Sequence, residues 1–368
     1  MTSRSHDHEL LTSVQAGRAI AALLVIFSHA SLHIFALDKY WGYDPARHFF
    51  DFSHAGVEFF FVLSGFIILY IHQKDLGKPS RFFSYAMKRF LRIYPVYWIV
   101  MVAVMCVYFL VPSYGYPYHR EIGTILSSIL LVHINGNEKS ELAVAWTLYH
   151  EILFYCFFAL AIFNKRLGIV MMAAWMGASA ATLMAKPDSY SIEFLFSPLE
   201  LLFGMGMIAC LVTKNIRIPS PRVLVLVGIA IFTAIAMEED YIWWLSEIPR
   251  NLIYGFASAL ILIGIVQMEY QGHLKVPAPL LLMGNASYVT YLIHLTLLSF
   301  LAKMFIYMGA REALPALLSY FLISALAVCI GIAAHLWGER PLLRFLRTWF
   351  SNRAGRGVLL PQPDRIAA

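Results

Sequence analysis

Charge is what this sequence has least of. Only 14% of its 368 residues are Asp, Glu, Lys or Arg, against roughly 25% in a soluble globular domain. That deficit excludes a water-soluble pair of domains. It equally excludes a disordered chain, which needs few apolar residues and a high net charge. Cysteine is scarce as well: Cys106, Cys156, Cys210 and Cys329 stand far apart, each inside an apolar run. They read as buried small apolar residues, not as a disulfide framework or a metal cluster. No secretory signal peptide is expected, because the polar first residues and the apolar run behind them are followed by no small-residue cleavage site. No repeat of fixed period and no inverted pair of Gly/Pro-broken helices is visible.

Apolar surface is abundant instead. The chain is 60% hydrophobic and 15% aromatic, with a mean hydropathy of +0.67. A helix needs about 20 mostly apolar residues to cross a bilayer, and ten runs qualify: 14–37, 55–72, 93–111, 144–163, 167–185, 192–212, 222–238, 249–267, 278–300 and 316–338. None alternates apolar and polar residues as a barrel strand would. The stretch 124–134 is too short to span and reads as re-entrant or interfacial. With the N-terminus in the cytoplasm, 20 of the 28 Lys and Arg residues fall on the cytoplasmic side. The formal charge of +6 then follows from loops that hold positive charge inside, not from a nucleic-acid partner. The expectation is an all-α polytopic bundle of about ten membrane helices with both termini cytoplasmic. Residues 1–350 form one integral-membrane domain, and 351–368 a short cytoplasmic tail.

Ionisable residues inside such runs are costly and therefore functional candidates. Arg18 and His29 lie eleven positions apart in the first run, which returns them to one helix face about 16 Å apart along the axis. The bland alternative is a snorkelling arginine with a hydrogen-bonded core histidine. His33, one turn on, admits a metal reading, although no helical HExxH-type pattern accompanies it. Ser64 and Gly65 interrupt the second run, which close helix packing alone would explain. In RFFSYAMKRFLRIYPVYW, Arg81, Lys88 and Arg92 recur on one side with Arg89 beside them. This is either a basic amphipathic helix drawn to anionic lipid or a phosphate site built from arginine forks. Glu151 follows His150, with Trp146 and Thr147 a turn before and Tyr155 a turn after. It could orient an imidazole or activate a hydroxyl, or simply sit at a helix N-terminus in an aromatic belt. Ser287, Tyr291 and His294 make a polar stripe that faces the bundle interior or a cavity.

Together these residues resemble the acyltransferase-3 family of integral-membrane acyltransferases, over about residues 10–347. The landmarks are Arg18 with His29, GVEFFFVLSGFII at 56–68, RFLRIYPVYW at 89–98, AWTLYHEILFY at 145–155, NASYVTYLIH at 285–294 and ERPLLRF at 339–345. The resemblance implies an acyl-coenzyme A donor, usually acetyl-CoA, entering from the cytoplasm, and no metal. It implies an acceptor hydroxyl on an exported polysaccharide or lipid-linked oligosaccharide, and a multi-pass place in the bacterial inner membrane. Membrane lipid and polysaccharide-assembly machinery are the partners, with no nucleic acid. The family's motif histidine falls on His29, its motif arginine on Arg18, its basic pair on Arg89 and Arg92, and its motif carboxylate on Glu151. His150 departs from the usual small or apolar residue or Glu; it either joins the chemistry or lines the entrance. In this reading His29 is a general base or a transient acyl carrier. Glu151 holds the His29 tautomer or positions the acceptor, and Ser64 and Tyr291 hydrogen-bond the thioester oxygen, with His294 beside the substrate. The competing readings are a polysaccharide or lipid transporter or flippase without acyl transfer, and a structural partner in polysaccharide assembly.

Overall fold

Lipid offers the backbone no hydrogen-bond partners, so apolar runs of this length must satisfy their own amides as helices. The computed structural model describes residues 11–353 except 47–49, 112–115, 134–139, 186 and 243, and among the described residues there is no strand. Twelve helices of nine or more residues are described: α1 (Thr12–Ala30), α2 (Gly56–His72), α3 (Phe82–Leu110), α4 (Ile122–Leu130), α5 (Trp146–Phe163) and α6 (Lys165–Ala181), then α7 (Glu200–Asn215), α8 (Pro221–Met237), α9 (Glu247–Tyr270), α10 (Ala278–Tyr307), α11 (Ala316–Ala334) and α12 (Arg340–Arg353). Every one of the ten expected runs falls on a helix. Among the described residues eight helical segments are long and apolar enough to cross a membrane, whereas α6 and α8, at 17 residues each, sit at the lower limit of a span. Residues 1–10 and 354–368 lie outside the described residues, and with them most of the expected tail.

Three boundaries differ from expectation. The basic stretch after α2 does not stand apart from the third span. It runs straight into α3, a single helix of 29 residues with Pro95 inside it. The run 192–212 is broken near Pro198, leaving a short helical turn, Tyr190–Leu195, ahead of α7. A proline supplies no N–H and disfavours helix in the residue before it. The cysteines also differ: Cys106, Cys156 and Cys329 are exposed, and only Cys210 is buried. A membrane helix that is apolar all round carries no stripe from which an inward face could be read.

Of the stretch 124–134, residues 124–130 belong to α4, a nine-residue helix too short to span, and residue 134 lies outside the described residues. The carbonyl-bearing end of α4 is orphaned, as every helix C-terminus is. Aromatic side chains of α3 complete it: Tyr97 Oη donates to Ser128 O at 2.8 Å, Trp98 Nε1 to Ile129 O at 2.9 Å and Tyr94 Oη to Leu130 O at 2.9 Å. Thr124, Ser127 and Ser128 face inward, while Ile122, Leu126 and Leu130 are exposed. Polar in and apolar out is the pattern lipid demands.

In the core of the bundle α1 packs between α2 and α10, with α7 and α9 against α2. A carboxylate from another helix fixes where α1 begins. Glu269 of α9 accepts hydrogen bonds from the Thr12 amide at 2.8 Å and hydroxyl at 2.6 Å, and from the Ser13 amide at 2.9 Å. A negative charge here also complements the helix dipole. Close approach of α2 and α7 depends on two glycines. A Cβ at Gly65 would collide with the Phe203 carbonyl, and one at Gly206 with the Val62 carbonyl. Gly65→Val is therefore expected to destabilise the bundle by about 3 kcal/mol or more. A fall in the thermal midpoint of the detergent-solubilised variant is the readout; an unchanged midpoint would show that the helices can separate freely.

Between α4 and α5, Glu141 is fully buried. Its amide donates to Ser128 Oγ at 2.9 Å, and one carboxylate oxygen lies 3.3 Å from His119 Nδ1. Burial pushes the Glu141 carboxyl up to about 7 and holds the His119 imidazole below its usual range. A carboxyl whose folded pKa exceeds its unfolded one destabilises the fold as pH rises through that window. Glu141→Gln should thus raise the thermal midpoint at pH 8 and leave it unchanged at pH 4, with a ceiling of about 3 kcal/mol. An equal shift at both pH values would contradict this account.

Candidate active site

Helices α1, α2, α3, α5 and α10 surround a partly open cavity. Three guanidinium groups reach it: Arg18 from α1, and Arg89 and Arg92 one turn apart on α3. Arg18 and Arg89 are buried, which is expensive for a charge unless something answers it. Arg92 has an answer, since its Nη1 lies 3.8 Å from Glu339 Oε1 and its guanidinium sits over the Tyr288 ring at 5.0 Å. Glu339 is held in turn by His335, with Nδ1 2.7 Å from Oε2. Arg18 Nη1 donates to Gln15 Oε1 at 3.4 Å and lies within the field of Arg92, Glu339 and Glu151. Arg89 has no ion pair among the described residues. Its guanidinium stands 5.6 Å over the Tyr155 ring, and its Nε is buried without a hydrogen-bond partner.

The same cavity carries a carboxylate, Glu151. Glu151 Oε1 accepts from Ser64 Oγ at 2.8 Å and from the Tyr155 hydroxyl, one helical turn along α5. From α10 come Ser287, Tyr288 and Tyr291, and the buried Ser287 hydroxyl has no partner. Tyr291 Oη donates to the Val144 carbonyl at 3.1 Å and lies 2.8 Å from Thr147 Oγ1. Tyr291 also links the cavity to a second polar station, because its carbonyl is 2.6 Å from His294 Nδ1. There, His294 Nε2 meets His29 Nδ1 at 2.6 Å, with the two rings within 7° of parallel. The exposed His33 ring is 5.0 Å from that of His29. Among the described residues no three His, Cys, Asp or Glu side chains gather as a metal-ligand set.

Six of the nine residues singled out from the sequence thus line one cavity: Arg18, Ser64, Arg89, Arg92, Glu151 and Tyr291. His29 and His294 pair with each other beyond it. His150 joins neither group; its Nδ1 is 2.6 Å from Glu200 Oε1, buried against Phe61 and Phe194. One expected contact is not seen among the described residues. Glu151 bonds Ser64 and Tyr155 and does not hold His29, whose partner is His294. The Ser64 hydroxyl donates to Glu151 and that of Tyr291 to the Val144 carbonyl. Tyr155, Tyr288 and Glu339 were not singled out as site residues. The spacing of Glu151 and Tyr155, one turn apart on α5, was a usable signal for the first of them.

Fold and cavity together define a multi-pass membrane protein with a largely apolar cavity among its helices into which three arginines and a glutamate reach. The chain belongs to the acyltransferase-3 family, whose acyltransferase domain matches residues 11–336, and it is an acyltransferase of the membrane. It is 32% identical over 311 residues to the exopolysaccharide production protein ExoZ of Rhizobium meliloti (strain 1021), covering 82% of this chain and 93% of that protein. It is 33% identical over 94 residues to protein 2 in the picA locus of Rhizobium radiobacter, covering 25% of this chain and 42% of that one. No solved structure matches the chain.

Proposed function

We propose that this protein transfers an acyl group, acetyl in the first instance, from acyl-coenzyme A to a sugar hydroxyl of an exported polysaccharide or its lipid-linked repeat unit. The observation that carries the reading is Arg89, a buried guanidinium without a carboxylate partner, which shares a cavity with Arg18 and Arg92. A buried cation without a counter-charge is a vacancy for an anion, and arginine forks match phosphate oxygens bidentately. Coenzyme A brings a pyrophosphate and a ribose phosphate on one end of a long thin arm. The about 16 Å that α1 rises between Arg18 and His29 is a span such an arm can cover. The name of the Rhizobium relative, an exopolysaccharide production protein, supports a saccharide acceptor.

In this reading the arginine end of the cavity faces the cytoplasm, with both termini on that side, in the bacterial inner membrane. His29 takes the proton of the acceptor hydroxyl as its oxygen attacks the thioester carbonyl. The new C–O ester bond forms, the C–S bond breaks, and coenzyme A leaves as a thiol after gaining a proton. Glu151, fixed by Ser64 and Tyr155, lines the same cavity and helps to position the acceptor hydroxyl. Mass spectrometry of the host polysaccharide with and without this protein tests the proposal. An acyl ester present only when the protein is made is the expected result; identical ester content would overturn it.

A further inference from the structure

The geometry points to His294 as the residue that decides which nitrogen of His29 is free to act as a base, an inference that rests on the acyl-transfer reading above. A peptide carbonyl can only accept a hydrogen bond. His294 Nδ1, 2.6 Å from the Tyr291 carbonyl, must therefore carry a proton. In a neutral imidazole the other nitrogen then bears the lone pair, so His294 Nε2 is an acceptor. It faces His29 Nδ1 at 2.6 Å, and two lone pairs at that distance would repel. His29 Nδ1 is accordingly the donor, and the lone pair of His29 resides on Nε2. The chain of bonds runs from the Tyr291 carbonyl through His294 to His29 and leaves one defined nitrogen to receive a proton.

The arrangement is also rigid. His294 is fully buried, and the carbonyl that holds it belongs to its own helix, three residues earlier. The His29 ring lies within 7° of parallel to that of His294. When His29 is protonated, its Nδ1–H bond to His294 becomes charge-assisted and shortens the step in free energy. A neutral orienting imidazole achieves this without a second buried charge, which an Asp or Glu at this place would introduce. His294 is a positioning residue and does not touch the acceptor.

Two substitutions test this in the purified full-length protein. His294→Leu removes the acceptor, and His294→Gln places an amide oxygen near the position of Nε2. A thermal midpoint within a few degrees of the parent's in detergent shows that each variant is folded. The expected result is a fall in kcat of about 100-fold or more for His294→Leu, by analogy with loss of an imidazole tautomer partner, with KM for donor and acceptor within threefold. His294→Gln recovers at least tenfold of that loss. The inference is overturned if His294→Leu keeps kcat within threefold of the parent, if the loss appears in KM, or if His294→Gln is no better than His294→Leu. Failure of the underlying reading looks different: the parent would transfer no acyl group, and His29→Ala would change nothing.

Discussion

His29→Ala is expected to lower acyl transfer by about 1,000-fold or more while the protein still inserts, accumulates and binds coenzyme A. General-base assistance alone contributes about 10²–10⁴-fold, and alanine removes both the base and the acceptor's hydrogen-bond partner. The expectation is sharp because the cavity that would hold the donor does not include His29. Loss of turnover with retained donor binding separates chemistry from docking. A variant that transfers acyl groups at the parent rate would remove His29 from the reaction.

Arg89→Gln is expected to raise the donor KM by about 10–100-fold with kcat changed only a few-fold. Hydrogen bonds to a charged group contribute about 1.5–3 kcal/mol, and each 1.4 kcal/mol is tenfold in affinity. Arg89 is a cleaner probe than its neighbour. Removing Arg92 would also take away the guanidinium 3.8 Å from the buried Glu339 carboxylate, so part of its effect would fall on the fold. Arg89 has no such partner, so its loss falls on the ligand and spares the fold. Donor titration of acyl transfer in parent and variant is the measurement; equal KM values would mean that the phosphates dock elsewhere.

Much of this was legible in one dimension. Helices show because lipid compels long apolar runs, and α1, α2, α5, α10 and α11 lie where their runs lie. Arg18 could be picked out as a charge where a charge is costly, and Arg89 and Arg92 as part of a basic cluster just ahead of the third run; the shared cavity is what the structure adds. The lateral order of helices is another matter. Nothing in the spacing of Glu151 says that α5 turns it towards Ser64 and the arginines, and nothing in His29 names His294, 265 positions away. Polar residues in a membrane find partners across helices, and such pairings have no local signature. The cysteines fail for the converse reason: inside an all-apolar helix, a lipid-facing position and a core position read alike.

The central claim is that the arginine cavity and the imidazole pair form one acyl-transfer path. Purified protein reconstituted in vesicles, given acetyl-coenzyme A labelled in the acetyl group and an oligosaccharide of the host polymer, tests it most directly. The expected result is label in an ester of the saccharide, dependent on both Arg89 and His29. Movement of saccharide across the vesicle membrane with no label in it would contradict the account and leave a transporter in its place.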